Sequence, residues 1–324
     1  MLGVFGRVSR VRELGLEPDV VYVGLDRVNR FAEGVVPLLW VPKTSELEEG
    51  VVDAYGRRHL FAFGNSGCIA NPRVVGRALK AVERVFELGF RRVMLDAIRL
   101  PSPVNGLLFL TTCFCSHSLE LCPELGYLRN RVRAVLHSAS AGDVVEVLEE
   151  LAHARTAHVE YMLSVLYDMA RELSVELVAA VFPYPLSRYV GQEPAVLKRY
   201  LSEVHVMLYH RCPGAACLNA ELRGLTGTLN ILRLGYGEIQ EVIRSITGLE
   251  LGVKEIAELD NGIALEHVEK LMDINRSIYG DAFTPILWLD DEVAPRLKRY
   301  LKKHRRIDVF APLDRYHQAG LSDT

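Results

Sequence analysis

The chain has 324 residues, of which 49% are hydrophobic and 24% charged, proportions that fit a globular protein and exclude disordered and fibrous classes. Its 38 basic and 41 acidic residues give a formal net charge of -3, which leaves no general cationic surface for a nucleic acid. No apolar run reaches the ~18 residues that cross a bilayer, and arginines interrupt residues 1–19 where a signal peptide would be apolar. We therefore expect a cytoplasmic protein whose partners include neither nucleic acid nor a membrane. Arginine outnumbers lysine 30 to 8, a bias found in some heat-adapted (thermophile) proteins.

Apolar runs of strand length alternate with longer stretches of helical period, which predicts parallel strands joined by helical crossovers. Most of these runs are continuous Val, Ile, Leu and Phe, as expected for strands covered on both faces. The predicted fold is an α/β (β/α)8 TIM barrel with a long insertion after the third predicted strand, and an open doubly wound sheet is the alternative. The eight predicted strands are residues 20–25, 59–63, 92–98, 175–182, 204–209, 255–259, 285–289 and 307–310.

Helical patterns follow several of these strands. Residues 72–88 begin after Asn71, a good N-cap, and end at Gly89, which can adopt the left-handed conformation that stops a helix. Apolar residues at three and four spacing predict further helices over 143–173 and 292–304. Residues 35–41 could be an extra strand or hairpin, and 229–234 compete for the sixth strand. No repeat or linker divides the chain, so we expect a single domain over residues 1–324.

Active sites of these barrels lie at the C-terminal ends of the strands, so the polar residue that ends each strand is a candidate. An aspartate there can instead cap the following helix, and we prefer that structural role for Asp26, Asp291 and Asp314. The strand-end residues that could still contact a substrate are Asn65, Arg99, Tyr184, His210, Trp288 and Asp291. A lone histidine such as His210 can equally be a structural residue of the mouth.

Carboxylates are concentrated at these ends. Asp96 lies inside an apolar run, where a carboxylate is costly unless it is paired or used. Glu258 and Asp260 share one face of the predicted sixth strand, as Trp288 and Asp290 share a face of the seventh. A tryptophan beside a carboxylate suits sugar recognition, although Trp288 could also be core. Glycoside hydrolysis uses a carboxylate pair, and the catalytic candidates are Asp96, Glu258, Asp260 and Asp290.

Residues 93–133 begin VMLDAIRLPSP and continue through a Cys-Phe-Cys loop and a further cysteine into a helix. An Asp-x-Ile-Arg-x-Pro-Ser strand end followed by a Cys-x-Cys loop resembles a family of glycoside-hydrolase-like TIM barrels. The resemblance implies a carbohydrate, small or oligomeric, as the substrate, with Asp96 and Arg99 in its cleft and no required cofactor. Two features depart from the family pattern: Ala97 stands where glycine is usual, and six residues rather than two separate Cys115 from Cys122.

Three of the six cysteines lie within ten residues. In a long chain with no export signal, we expect the cysteines to be reduced, buried or metal-bound rather than paired in disulfides. Cys113, Cys115 and Cys122 could bind a structural zinc ion with His117 or Cys68 as the fourth ligand, or they could be buried free thiols.

Several enzyme classes lack their motifs. There is no His-x-His pair at the first strand, no glycine-rich dinucleotide or phosphate loop and no Gly-x-Ser-x-Gly elbow. Lys254 precedes its predicted strand, which argues against a Schiff-base aldolase. The predicted function is a glycoside hydrolase. The alternatives are a non-catalytic carbohydrate-binding or scaffold barrel, and a metal-assisted hydrolase that uses the aspartates and His210.

Overall fold

The computed structural model describes residues 1–312, which form a closed barrel of eight parallel strands. Each strand pairs with its neighbours in sequence, and the last strand pairs with the first, with Leu2 opposite Ile307. This closure confirms the predicted TIM barrel and excludes the open doubly wound sheet. The strands are β1 (Leu2–Gly6), β2 (Val20–Gly24), β3 (Val35–Trp40), β4 (Arg92–Asp96), β5 (Glu176–Val181), β6 (Glu203–Leu208), β7 (Phe283–Trp288) and β8 (Ile307–Ala311).

Helices cover the outside of the barrel, and within residues 1–312 none combines the length and apolar character that crossing a bilayer requires. The three helices predicted at 72–88, 143–173 and 292–304 are all confirmed, with each boundary within two residues of its predicted position. The helices are α1 (Val8–Glu13), α2 (Pro72–Glu87), α3 (Leu107–Thr111), α4 (Ser116–Leu121), α5 (Leu125–His137), α6 (Ala141–Glu172), α7 (Pro194–Tyr200), α8 (Leu218–Ile231), α9 (Tyr236–Thr247), α10 (Val253–Ala257), α11 (Leu265–Tyr279) and α12 (Ala294–Lys303).

Two predicted strands are wrong. In 59–63, Ala62 and Phe63 have φ of 42° and 63°, a left-handed conformation that no strand can contain. Arg58–His59 pairs with Val51–Val52 in a short hairpin, and Phe61 forms a single bridge with Ser66. Residues 255–259 are helical, because the Glu255 carboxylate accepts the Gly252 N–H and so caps the start of α10.

The two missing barrel positions are filled by β1 and β3. Residues 35–41, which the sequence left open as a strand or hairpin, supply β3, and residues 229–234 lie at the end of α8. The predicted insertion separates β4 from β5 and carries α3 to α6, of which α6 is 32 residues long. It follows the third predicted strand, which is the fourth strand of the barrel.

A polar network fills the N-terminal end of the barrel interior. Asp308 of β8 accepts a hydrogen bond from Tyr22 Oη at 2.9 Å and lies 2.6 Å from Nδ1 of His205. Arg306 and Arg92 bind Glu203 at the same end, at 2.8 and 2.6 Å. These residues belong to or adjoin alternate strands, which contribute the side-chain layers of such barrels. We call this group the interior network.

Candidate functional site

A cavity of about 160 Å³ opens at the C-terminal ends of the strands, where barrel enzymes bind their substrates. We call it the mouth cavity. Its volume is well above the ~10–15 Å³ that holds one water molecule. Strand ends and the loops that follow them supply its lining, which includes Trp40, Asp96, Ala97, Arg99, Met207, Tyr209, Trp288, Phe310, Phe63 and residues 212–217.

Asp96, the last residue of β4, is the one carboxylate that lines the mouth cavity within residues 1–312. Burial raises the pKa of its carboxyl group to about 6, although the Ala97 backbone N–H and the charge of Arg99 act in the opposite direction. The chain leaves the strand through Ala97, whose φ of 58° lies in the left-handed region that favours glycine. The structure therefore places at the mouth a carboxyl group that can exchange a proton near neutral pH.

Arg99 lies beside Asp96 but is held by other groups. Its guanidinium group lies over the rings of Phe182 and Phe61, at 5.1 and 5.7 Å, and donates to the Leu100 carbonyl at 3.0 Å. The side chain is 3% exposed, and burial lowers its pKa. Arg99 thus offers the cavity a fixed positive charge.

Glu221 of α8 does not line the mouth cavity but holds part of its wall, a role that the sequence did not suggest. It is 1% exposed and accepts hydrogen bonds from Ser102 Oγ at 3.0 Å, the Val104 N–H at 2.8 Å and the Ala216 N–H at 2.9 Å. Burial raises the pKa of the Glu221 carboxyl group above its usual value, and the charge of Arg99 only partly opposes this shift. Its signal in the sequence is a glutamate on the apolar face of a helix, between Leu218 and Leu225.

Aromatic rings form much of the wall. Trp288 stacks on Phe310 with ring centroids 5.1 Å apart and an interplanar angle of 5°, and Tyr209 meets both rings edge-on at 5.9 Å. On the other side, Trp40 lies 6.3 Å from Phe63, whose ring is 72% exposed at the rim. Flat aromatic surfaces beside polar groups can hold the apolar face of a sugar ring.

Residues 212–217 form a loop that lines the mouth cavity, which we call the mouth loop. A disulfide between Cys212 and Cys217 closes it, with their Cα atoms 5.4 Å apart. The expectation that all six cysteines are free or metal-bound is wrong for this pair, because the loop brings both thiols within bonding reach. The Glu221 carboxylate anchors the loop through the Ala216 N–H.

Asp290 does not line the mouth cavity. Its Oδ2 lies 3.1 Å from Nε2 of His210 and accepts from Arg211 at 2.9 Å, and its Oδ1 accepts from the Val293 N–H at 3.1 Å. Burial opposes ionisation, but the contact with His210, this N–H bond and the Arg211 charge hold the Asp290 pKa at about 2. His210 and Asp290 do follow the ends of β6 and β7, as predicted, but their side chains contact each other and do not face the mouth cavity.

Glu258 and Asp260 lie outside the barrel strands, because the predicted sixth strand is helical. The Glu258 side chain is 53% exposed, and Asp260 is 75% exposed in an ion pair with Arg223. Neither lines the mouth cavity with Asp96. The shared strand face proposed for them does not exist.

The other strand-end candidates are dispersed. Asn65 and Asp26 line a separate groove beside β2, β3 and α2, and the Tyr184 N–H donates to Asn275 at 2.9 Å. Asp291 is exposed, whereas Asp314 lies outside the described residues. Of the predicted substrate-binding residues, Arg99 and Trp288 line the mouth cavity.

A group of three buried cysteines, Cys68, Cys113 and Cys115, brings its sulfur atoms within 4.8 Å of one another, a set that could hold a metal ion. Cys122, the third ligand predicted from the sequence, is not part of this group. Helix α4 carries Cys122 away, and its thiol donates to Glu124 at 3.2 Å. Of the two proposed fourth ligands, Cys68 belongs to this group, whereas His117 lies 3.9 Å from Glu120.

No family model and no curated protein matches the sequence. Solved structures share the fold. The PgaB (BpsB) glycoside hydrolase domain from Bordetella bronchiseptica is 12% identical, with a TM-score of 0.50 over 96% of this chain and 93% of that one. A β-galactosidase from the psychrophilic Marinomonas ef1 is 10% identical, with a TM-score of 0.53 over 95% of this chain and 53% of that one. The barrel therefore has a glycoside-hydrolase-like fold.

Proposed function

We propose that the mouth cavity binds a carbohydrate and that Asp96 acts as the general acid in cleavage of its glycosidic bond. The observation that carries the proposal is a carboxyl group with a pKa of about 6 in an aromatic-walled cavity at the barrel mouth. A general acid must hold its proton at the working pH and release it in the transition state, which a raised pKa allows. The names of the two proteins that share the fold support the substrate class.

The aromatic wall supports a sugar rather than a fully polar ligand. One face of a pyranose ring carries C–H groups that pack on the rings of Trp288 or Trp40, while its hydroxyl groups meet the polar edge of the cavity. Asp96 and Arg99 supply that edge. Protonated Asp96 would donate to the glycosidic oxygen as the bond to the anomeric carbon breaks.

The second half of the reaction needs a nucleophile. Most glycosidases use two carboxyl groups. Among residues 1–312, Asp96 supplies the only carboxyl group that lines the mouth cavity, so we do not assign the nucleophile role to Glu258, Asp260 or Asp290. Some glycosidases instead use a group of the substrate itself as the nucleophile. A substrate with such a group, for example a 2-acetamido sugar, would need only the proton donor from the protein.

A second candidate function is carbohydrate binding without cleavage. The observation that favours it is the same single carboxylate, since a binding site needs hydrogen-bond partners for hydroxyl groups but no pair of acids.

A panel of aryl glycosides with and without a 2-acetamido group tests the proposal. We expect turnover that falls as pH rises through about 6 and that Asp96→Asn lowers by 10²-fold or more. Asp281→Asn is the matched control, because Asp281 is exposed at the opposite end of the barrel, before β7. Binding without turnover would support the second candidate, and turnover that Asp96→Asn leaves intact would exclude Asp96 as the acid.

A further inference from the structure

We propose that Cys68, Cys113 and Cys115 form a structural zinc site that links the loop after β3 to the insertion after β4. We call these three residues the thiol cluster. The site is separate from the proposed carbohydrate site, because none of its residues lines the mouth cavity.

The spacing of the sulfur atoms fits zinc. Sγ of Cys68 lies 3.6 Å from Sγ of Cys113 and 3.7 Å from Sγ of Cys115. Tetrahedral zinc with bonds of about 2.3 Å to thiolates holds its sulfur ligands about 3.8 Å apart. Two of the three sulfur–sulfur distances therefore match such an ion, and all three sulfur atoms lie within 4.8 Å of one another. Thiolates favour zinc over magnesium or calcium.

Ser118 occupies the region of the fourth corner. Its hydroxyl oxygen is fully buried and lies 3.2 Å from Sγ of Cys115 and 3.7 Å from Sγ of Cys68. An oxygen ligand on the same ion would lie about 3.5 Å from each sulfur. We assign to Ser118 the role of fourth ligand, or of the group that holds a water molecule in that position.

Backbone N–H groups support the sulfur atoms from outside the cluster. The Val52 N–H donates to Cys113 Sγ and the Ser118 N–H to Cys115 Sγ, each at 3.4 Å. Hydrogen bonds to ligand atoms orient them and stabilise their charged form.

A buried cation next to the cluster gives an independent argument from charge. Arg155 of α6 is 1% exposed and donates to the carbonyl groups of Tyr189, Thr112 and Phe109. Within residues 1–312 no carboxylate pairs with it. An unpaired buried charge is costly. Three thiolates and one Zn²⁺ carry a net charge of -1, which would balance Arg155.

Binding involves no redox step. Each thiol that is still protonated releases its proton to solvent as its sulfur bonds to the metal. The bound ion would join two chain segments that also meet elsewhere, for example where the Phe114 N–H donates to the Val52 carbonyl at 2.8 Å and Arg133 donates to the Ala54 carbonyl at 2.9 Å.

Cobalt titration of the metal-free, folded full chain tests the site. We expect a thiolate-to-cobalt charge-transfer band that saturates at one equivalent and that zinc abolishes. Cys68→Ser and Cys115→Ser should lose the band, and Ser118→Ala should weaken binding about tenfold or more. Cys122→Ser is the matched control, since Cys122 is a buried thiol of the same segment outside the cluster, and it should keep the band.

Alkylation of the wild-type chain gives a second measurement that does not depend on whether the variants fold. Zinc should protect Cys68, Cys113 and Cys115 and leave the reactivity of Cys122 unchanged. Absence of the cobalt band in the wild type, its persistence in folded Cys68→Ser, or its loss in folded Cys122→Ser would overturn the proposal. So would zinc that protects none of the three thiols.

Discussion

Nδ1 of His205 lies 2.6 Å from Oδ2 of Asp308 inside the barrel, and neither side chain is exposed to solvent. The two residues come from strands that are not neighbours, so the contact crosses the barrel interior. Burial opposes ionisation of Asp308, but His205 and Arg306 hold its pKa below the usual value. This pair is the centre of the interior network.

We predict that Asp308→Asn lowers the free energy of unfolding by about 3–5 kcal/mol at pH 7, because it leaves the buried groups around it without their counter-charge. A folded-state pKa below the unfolded value stabilises the fold above the usual carboxyl pKa, and this stabilisation is lost as pH falls through the folded pKa. The difference from wild type should therefore shrink in acid. Urea unfolding at neutral and acid pH measures it.

Asp260→Asn is the control for that comparison, since the Asp260 side chain is 75% exposed in its ion pair with Arg223. We expect a change within about 0.5 kcal/mol. Equal unfolding free energies for Asp308→Asn and Asp260→Asn would show that the interior network does not stabilise the barrel.

Asp96 gives the opposite pH dependence. Its folded-state pKa of about 6 is above the ordinary carboxyl value of 3.8, so the fold favours the protonated form. The associated stability is fully present below the unfolded pKa and is lost as pH rises through about 6. We predict that Asp96→Asn, which cannot ionise, is more stable than wild type at pH 8 by roughly 2 kcal/mol, with little of this gain at pH 4. Chemical denaturation at both pH values would refute this if the gain were the same at each.

The disulfide of the mouth loop gives a prediction about thiols and stability. Denatured without reductant, the chain should show four free thiols, and six after reduction. The double substitution Cys212→Ser, Cys217→Ser should lower the unfolding free energy by about 2 kcal/mol, because it frees a short loop in the unfolded state. Six thiols before reduction would contradict the pairing.

The sequence was sufficient to predict the barrel because parallel strands buried on both faces read as continuous apolar runs, as in residues 175–182 and 204–209. It was not sufficient for β1, where Gly3 and Gly6 weaken the strand pattern. The structure explains Gly3: a side chain there would collide with Asp308 across the strand pair. Such a requirement comes from the assembled barrel and leaves no local signal.

Some residues of the candidate site could be predicted from the sequence, and others could not. Asp96 was recognisable as a carboxylate inside an apolar run, and its burial follows from that position. Glu258 and Asp260 were misplaced because a short apolar run can be a strand or a helix, and the choice depends on the cap at Gly252. Cys68 was one of the two fourth ligands proposed for Cys113 and Cys115, but only the assembled barrel shows that Cys68, and not Cys122, adjoins them.

The mouth loop has a consequence for how this barrel could change its ligand. Its disulfide and the Glu221 anchor hold the loop at fixed points, and residues 213–216 between the cysteines are Pro, Gly, Ala and Ala. The proposed proton donor, Asp96, and the Trp288 ring proposed to stack on a sugar instead lie at strand ends. Under the proposed function, exchanging these four small residues should alter which ligand fits, while the strand ends that carry Asp96 and Trp288 stay untouched.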